Sequence, residues 1–235
     1  MAVIMDCLSK AQGRVFTHAY AAAVTPGQTQ PNEEAWVCGD PEHSFFDLAS
    51  LTKAICVTPL IVRATHDLDF EWSDVIGDVV PHCAEVFGEE VARLDFQSLV
   101  SHSSGMPAWR PLWMGCAEGG DAGGKFEFGG IKRMVPRLSP SGTRRYSDLG
   151  FIVLGWSLEK LYDKPLEVIF RRYASSILGV SDAPRIGFRR ELIPQAIDTF
   201  VTCGYCEIRR EKLEGRVHDT NAGCTQHALG HAGLF

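Results

Sequence analysis

The stretch Phe45-Phe46-Asp47-Leu48-Ala49-Ser50-Leu51-Thr52-Lys53-Ala54-Ile55 sets a hydroxyl and an amine three residues apart where an apolar helix opens. Positions i and i+3 are neighbours on a helix surface. A helix beginning near Ser50 therefore brings the Lys53 amine within hydrogen-bond reach of the Ser50 hydroxyl. The same start puts Ser50 at the helix N-terminus, where unpaired backbone N–H groups stabilise negative charge developing on an attacked carbonyl oxygen. The pair is a candidate nucleophile with its own base. Taken alone, a helix start followed by a solvated lysine explains the spacing at least as well, so the rest of the chain has to decide.

Two further segments bear on the choice. Leu99-Val100-Ser101-His102-Ser103-Ser104-Gly105-Met106-Pro107 reads as a helix end followed by a loop. Arg144-Arg145-Tyr146-Ser147-Asp148-Leu149-Gly150-Phe151 puts a tyrosine at a turn before another apolar helix. In this order and at this spacing, Phe-Asp-Leu-Ala-Ser-Leu-Thr-Lys, Ser-His-Ser-Ser-Gly-Met-Pro and Tyr-Ser-Asp-Leu-Gly-Phe resemble the β-lactamase-related serine hydrolases. That group spans class C β-lactamases, D-alanyl-D-alanine carboxypeptidases and β-lactamase-fold esterases. Val217-His218-Asp219-Thr220-Asn221-Ala222 and Gly230-His231-Ala232-Gly233-Leu234-Phe235 resemble a divergent branch of it.

The resemblance implies an α/β fold of the α+β type, β-lactamase/transpeptidase-like, with an antiparallel sheet flanked by helices over one domain, 1–235. Within it, 1–48 would hold a helix and hairpin, 49–180 the helical region with both motifs, and 181–235 a loop-rich end. It also implies a serine hydrolase working through an acyl-enzyme on a small ester or amide. Ser50 would attack, Lys53 and Tyr146 would move the proton, and Asp148 would be a polar positioning group. For Lys53 to act as a base near neutrality its pKa has to fall from about 10.4 towards 7–8, at about 1.4 kcal/mol per unit. Asp148 departs from the commonest family pattern, which has asparagine there. A carboxylate favours the lysine as a cation and leaves Tyr146 the better proton acceptor. Alternatively, Asp148 simply caps the helix that follows.

The family also carries a third motif, Lys-Thr-Gly or His-Thr-Gly, on a strand that supplies a second oxyanion donor. Here His231-Ala232-Gly233-Leu234-Phe235 resembles the glycine-rich segment ahead of that strand. The expectation is that the later strands are absent and only the early hairpin remains of the sheet. The alternative is that His231-Ala232-Gly233 is the motif in degenerate form. Either way, an inactive binding or scaffold protein of the same fold stands as the rival function, because losing one oxyanion donor costs about a hundredfold in turnover.

Composition narrows the remaining classes. A formal charge of −6 argues against a nucleic-acid footprint, which needs clustered basic residues. Apolar runs fall short of the roughly 20 residues of a membrane span, and Met1-Ala2-Val3-Ile4-Met5-Asp6-Cys7 lacks the pattern of a secretory signal. Cys7, Cys38, Cys56, Cys83, Cys116, Cys203, Cys206 and Cys224 show no dense disulfide spacing. Free thiols and a cytoplasmic protein without cofactor are expected, with a small-molecule substrate and no nucleic-acid or membrane partner.

Along the chain, residues 3–12 suit a helix, and Val15–Val24 and Ala35–Cys38 suit a hairpin of strands around the turn Thr25-Pro26-Gly27-Gln28. Pro59 should kink the Ser50 helix. Gly119–Gly130 holds six glycines and reads as a loop. Phe151, Leu154, Leu158 and Leu161, then Leu166, Ile169, Phe170 and Tyr173, recur at helical spacing. Three rival signals compete. Cys203-x-x-Cys206 with Cys224-x-x-His227 could form a tetrahedral zinc set, making a zinc-stabilised interaction module. Gly119–Phe126 nearly spells a phosphate loop, but Phe126 stands where a magnesium-binding hydroxyl belongs. His102 could pair with Ser101 or Ser103, although its turn context suits a structural role.

Overall fold

The computed structural model describes residues 2–13, 18–28, 33–37, 44–116, 129–134, 137–140, 142, 144–181, 185–188, 199–201, 204–213, 215–223 and 228–235. It divides into two compact units, one of residues 1–47 with 197–215 and the other of residues 48–196 with 216–235.

In the first unit, α1 (Ala2–Ala11) precedes the antiparallel pair β1 (Ala19–Ala23) and β2 (Glu33–Val37), in register from Ala19 opposite Val37 to Ala23 opposite Glu33. The Gln28 N–H closes a turn on the Thr25 carbonyl at 3.0 Å, with Pro26 fixing its first corner and Gly27 at φ +88° taking the second. The predicted hairpin is therefore present, with strand ends that lie inside Val15–Cys38. Strands β3 (Ser44–Phe45) and β4 (Thr199–Phe200) pair in parallel, and β5 (Tyr205–Cys206) and β6 (Glu211–Lys212) pair antiparallel. The described strands thus form three two-stranded ladders, one of them parallel, where the sequence suggested a single early hairpin.

The second unit is helical and carries the motifs. A π-type turn, Lys53–Val57, runs straight into α2 (Thr58–Leu68), and the Thr58 N–H reaches back to the Lys53 carbonyl. Pro59 lacks an N–H and its ring crowds the carbonyl four residues earlier. The widened turn takes up that conflict, so the expected kink appears as a local change of helix type. Short helices follow: α3 (Ile76–Val79), α4 (Cys83–Phe87), α5 (Glu89–Ala92), α6 (Phe96–Val100), α7 (Trp113–Cys116) and α8 (Gly129–Met134). Gly129 and Gly130 open α8 and so depart from the predicted loop; the rest of that loop, 119–128, including the phosphate-loop look-alike, lies outside the described residues.

Helix α9 (Asp148–Tyr162) is the centre of the unit. Every residue from Leu149 to Leu158 is buried, so this helix has no solvent face along that stretch. It starts where the Ser147 hydroxyl accepts the Gly150 N–H at 3.1 Å and ends at Asp163 in the left-handed region, φ +49°. Trp156 packs edge-on against Phe87 of α4, and α10 (Leu166–Leu178) buries Leu166, Ile169 and Phe170. Fully burying one such side chain is worth about 1.5–3 kcal/mol. Truncating Leu154 to alanine would cost about 2–5 kcal/mol. Helix α11 (Thr220–Gly223) closes the set.

Cys7, Cys56, Cys83 and Cys206 carry free thiols, and burial pushes Cys83 up to about 11 and Cys56 well above its ordinary value. No described helix is long and apolar enough to cross a membrane.

Candidate active site

Ser50 is exposed in the turn that opens the first long helix of the second unit, directly after Ala49, whose φ of +45° is unusual for a residue with a side chain. The turn closes through Leu51 N–H to Leu48 O at 2.9 Å, Thr52 N–H to Ala49 O at 3.1 Å and Lys53 N–H to Ser50 O at 3.1 Å. These bonds use the neighbouring donors. The Ser50 N–H is taken by no acceptor among the described residues. Of the unpaired helix-start donors the sequence promised, it alone remains beside the hydroxyl.

Lys53 is 4% exposed; its Nζ donates to Ser50 Oγ at 3.0 Å and to the His231 carbonyl at 2.9 Å, and stands 2.7 Å from Asp148 Oδ1 in an ion pair that lacks hydrogen-bond alignment. Both hydrogen bonds run outward from the amine, so it faces the serine as a donor. The i, i+3 contact is the one expected from the spacing. Of the two roles weighed for Asp148, the ion pair is the one observed. Ser147 caps α9, and the Asp148 backbone N–H donates to the Ala108 carbonyl at 2.8 Å.

The Tyr146 ring lies beside this cluster, with Lys53 Nζ 4.9 Å from its centre and 5.8 Å from that of Phe151. Tyr146 is half exposed, so one side of the ring faces solvent and the other the ammonium. The four residues singled out in the sequence, Ser50, Lys53, Tyr146 and Asp148, are gathered in one place. The rival pairing of His102 with the flanking serines is not formed: Ser101 and Ser103 hydroxyls bond each other at 2.8 Å, and His102 Nδ1 accepts the Ser147 N–H at 3.0 Å.

His231 stands where sequence reasoning saw a segment preceding the third motif or a degenerate form of it. Its ring is buried, with Nε2 2.8 Å from Asp219 Oδ1, and the contribution to the site comes from its backbone carbonyl. Burial pushes the Asp219 carboxyl up, but the His231 hydrogen bond and charge, the Ala222 N–H and the Lys53 charge outweigh it and leave the group below the usual carboxylate range. The strap 229–235 is fixed on both sides. Leu48 N–H donates to Leu234 O at 2.8 Å, Leu234 N–H to Thr52 Oγ1 at 3.2 Å, and Gly187 and Phe235 exchange bonds at 3.1 and 2.9 Å. Gly230 packs on Gly155 of α9 so closely that a Cβ there would stand 2.3 Å from the Phe151 carbonyl oxygen. Nothing in the residue types marks the His231 carbonyl; the two facing glycines are the sole hint that a strap crosses α9.

Of the zinc candidates, Cys203, Cys224 and His227 lie outside the described residues. Cys206 Sγ is engaged by Arg209, whose N–H groups approach at 3.5 Å and hold the thiol below its usual range. Among the described residues no group of three or more His, Cys, Asp or Glu side chains is placed to hold a metal.

The Beta-lactamase family profile matches residues 12–183. A putative D-alanyl-D-alanine carboxypeptidase of Escherichia coli (strain K12) is 26% identical over 211 residues, which is 82% of this chain and 48% of that protein. An octameric penicillin-binding protein homologue from Pyrococcus abyssi superposes with a TM-score of 0.65 at 15% identity, over 99% of this chain and 52% of its own. A class C β-lactamase from Rhodobacter sphaeroides gives 0.61 at 16% identity, over 99% of this chain and 60% of its own. The chain spans about half the length of the curated relatives it matches. The fold is of the β-lactamase/transpeptidase type, and the chain belongs to the Beta-lactamase family, the β-lactamase-related serine hydrolases.

Proposed function

We propose that this chain is a serine hydrolase that cleaves a small ester or amide through an acyl-enzyme on Ser50. The observation that carries the reading is the contact of an exposed Ser50 hydroxyl with the buried Lys53 Nζ at 3.0 Å, with Tyr146 and Asp148 around the same nitrogen. Because the Lys53 amine already donates to Ser50 Oγ and to the His231 carbonyl, beside the Asp148 carboxylate, the proton acceptor in this reading is the Tyr146 oxygen, acting as a phenolate. The Ser50 oxygen adds to the substrate carbonyl as its proton passes to Tyr146. The Ser50 N–H faces the resulting oxyanion. Collapse expels the leaving alcohol or amine, which takes the proton back from Tyr146. Water then attacks the Ser50 ester by the same path and releases the acid, returning the enzyme to its starting state.

A family of hydrolases and relatives named as carboxypeptidases support amide or ester chemistry in general. The free thiols of Cys7, Cys56, Cys83 and Cys206 favour action in a reducing compartment, and we place it in the cytoplasm. The test is covalent labelling with a fluorophosphonate and with a penicillin, read by intact mass and by the labelled peptide. Ser50 should carry the adduct and Ser50→Ala should not. Equal labelling of the variant would end the assignment, and an unlabelled wild-type protein would favour the inactive binding protein of the same fold.

A further inference from the structure

Helix α6 ends in an unusual way. The His102 N–H returns to the Leu99 carbonyl at 3.3 Å and the Ser103 N–H to the Ser98 carbonyl at 2.8 Å, a paired helix stop that requires a left-handed residue between them. That residue is His102, at φ +59°. Glycine is the ordinary occupant, and a residue with a side chain held there is strained. The strain points to a use for the ring. Its Nδ1 accepts the Ser147 N–H at 3.0 Å, and its face lies 4.4 Å from the Tyr146 ring and 5.2 Å from that of Phe151, centre to centre. Ser147 sits between Tyr146 and Asp148 and is anchored on its other side, where its hydroxyl donates to the Pro107 carbonyl at 2.6 Å. The imidazole therefore fixes the peptide group between Tyr146 and Ser147, within the segment that links Tyr146 to Asp148.

We propose that His102 is a positioning residue for Tyr146: as a neutral imidazole with its proton on Nε2 it holds the Ser147 N–H and backs the phenol ring against Lys53, and protonation of the imidazole releases that hold. An imidazolium carries N–H on both nitrogens and would meet the Ser147 N–H donor to donor. The charged and titratable groups facing the ring are Lys53 from the π-type turn ahead of α2, Asp148 from α9 and the Tyr146 phenol; Arg145 lies alongside, its guanidinium turned to Ser139 Oγ at 3.3 Å and its backbone N–H on the His102 carbonyl. Burial and the Lys53 charge push the His102 pKa below its ordinary value, against an opposing pull from Asp148. The ring is thus neutral at pH 7, and the hold weakens only as the pH falls through that lowered value.

The inference rests on the acyl-transfer reading of Ser50, and its test separates the two. The rate of fluorophosphonate labelling is followed against pH for wild type, His102→Gly and His102→Asn. Glycine relieves the backbone strain but leaves the Ser147 N–H unpaired, two effects of similar size and opposite sign, so Tm should change little. Labelling at pH 7 should nevertheless slow about tenfold or more, since a misplaced Tyr146 weakens the transition state by at least the 1.4 kcal/mol that this factor represents. Asparagine tolerates the left-handed backbone, puts Oδ1 where Nδ1 stood and does not titrate. It should recover most of the rate lost in His102→Gly and lack the acid limb of the wild-type profile. A glycine variant that labels at the wild-type rate, or an asparagine variant that keeps the same acid limb, overturns the proposal. Nitrogen NMR gives a readout independent of labelling. Nδ1 should be the unprotonated nitrogen, and the Tyr146 ring signals should follow the His102 titration. A protonated Nδ1 in the neutral ring, or Tyr146 signals indifferent to that titration, overturns the proposal even if wild type is never labelled, a result that would separately refute the acyl-transfer reading.

Discussion

Replacing Gly230 by alanine is the sharpest probe of how the Lys53 amine is held. The added Cβ would stand 2.3 Å from the Phe151 carbonyl oxygen and 3.0 Å from the Gly155 Cα. An ordinary carbon–oxygen contact is about 3.3 Å, so the strap has to retreat by about 1 Å. The listening point is next door, because the His231 carbonyl accepts from Lys53 Nζ at 2.9 Å. A retreat of that size takes the pair beyond about 3.5 Å, the limit of a useful hydrogen bond. Overpacking of this kind costs about 1–3 kcal/mol, or about 2–12 °C in Tm for a chain of this size. If Lys53 serves the proposed acyl transfer, a displacement of about 1 Å at its amine costs about a hundredfold in rate. Thermal unfolding gives the first number and fluorophosphonate labelling, run well below the variant's Tm, the second. Gly155→Ala, whose Cβ would meet Gly230 Cα at 2.8 Å, should behave alike despite a gain in helix propensity of about 1 kcal/mol. A Gly230→Ala protein with wild-type Tm and wild-type labelling would refute the idea that the strap sets the lysine.

Two further outcomes follow from the charges around the site. Asp148→Ala leaves the buried Lys53 without its ion-pair partner and should cost about 3 kcal/mol in urea unfolding, whereas Asp148→Asn keeps an acceptor and should cost clearly less; equal losses would count against the ion pair. Asp219 has its carboxyl held below the usual range, so its contribution is present above the unfolded value of about 3.9 and is lost as pH falls through the lower folded value. The stability gap between wild type and Asp219→Asn, measured by urea midpoints, should be widest near neutrality and close on acidification, and a gap that does not change with pH would contradict the Asp219–His231 contact.

The site was legible in the sequence wherever a side chain and a helical period decide the geometry. Ser50 and Lys53 meet because three residues is less than one turn, and α9 could be placed from its apolar spacing although its all-round burial could not. Asp148 was ambiguous because residue type allows both a cap and an ion pair, and Ser147, one position earlier, took the capping role. Pro59 announced a disturbance but not its form, since kinking and widening relieve the same clash. The His231 carbonyl was invisible because every residue has one, and only the close approach of Gly155 and Gly230 brings this one to the amine. His102 in the left-handed region likewise ran against expectation, because helix stops of this kind usually read as glycine.

The carbonyl that accepts from Lys53 lies 178 residues downstream of it. At about 5–20 residues per second, a ribosome makes Lys53 roughly 10–35 s before His231 exists. During that interval the amine and the serine are already neighbours in the chain, but the strap that orders the amine has not been synthesised. The contacts around Lys53 are therefore completed only after the helical body they rest on has been made, and a nascent chain carries Ser50 and Lys53 through that interval in an unfinished setting.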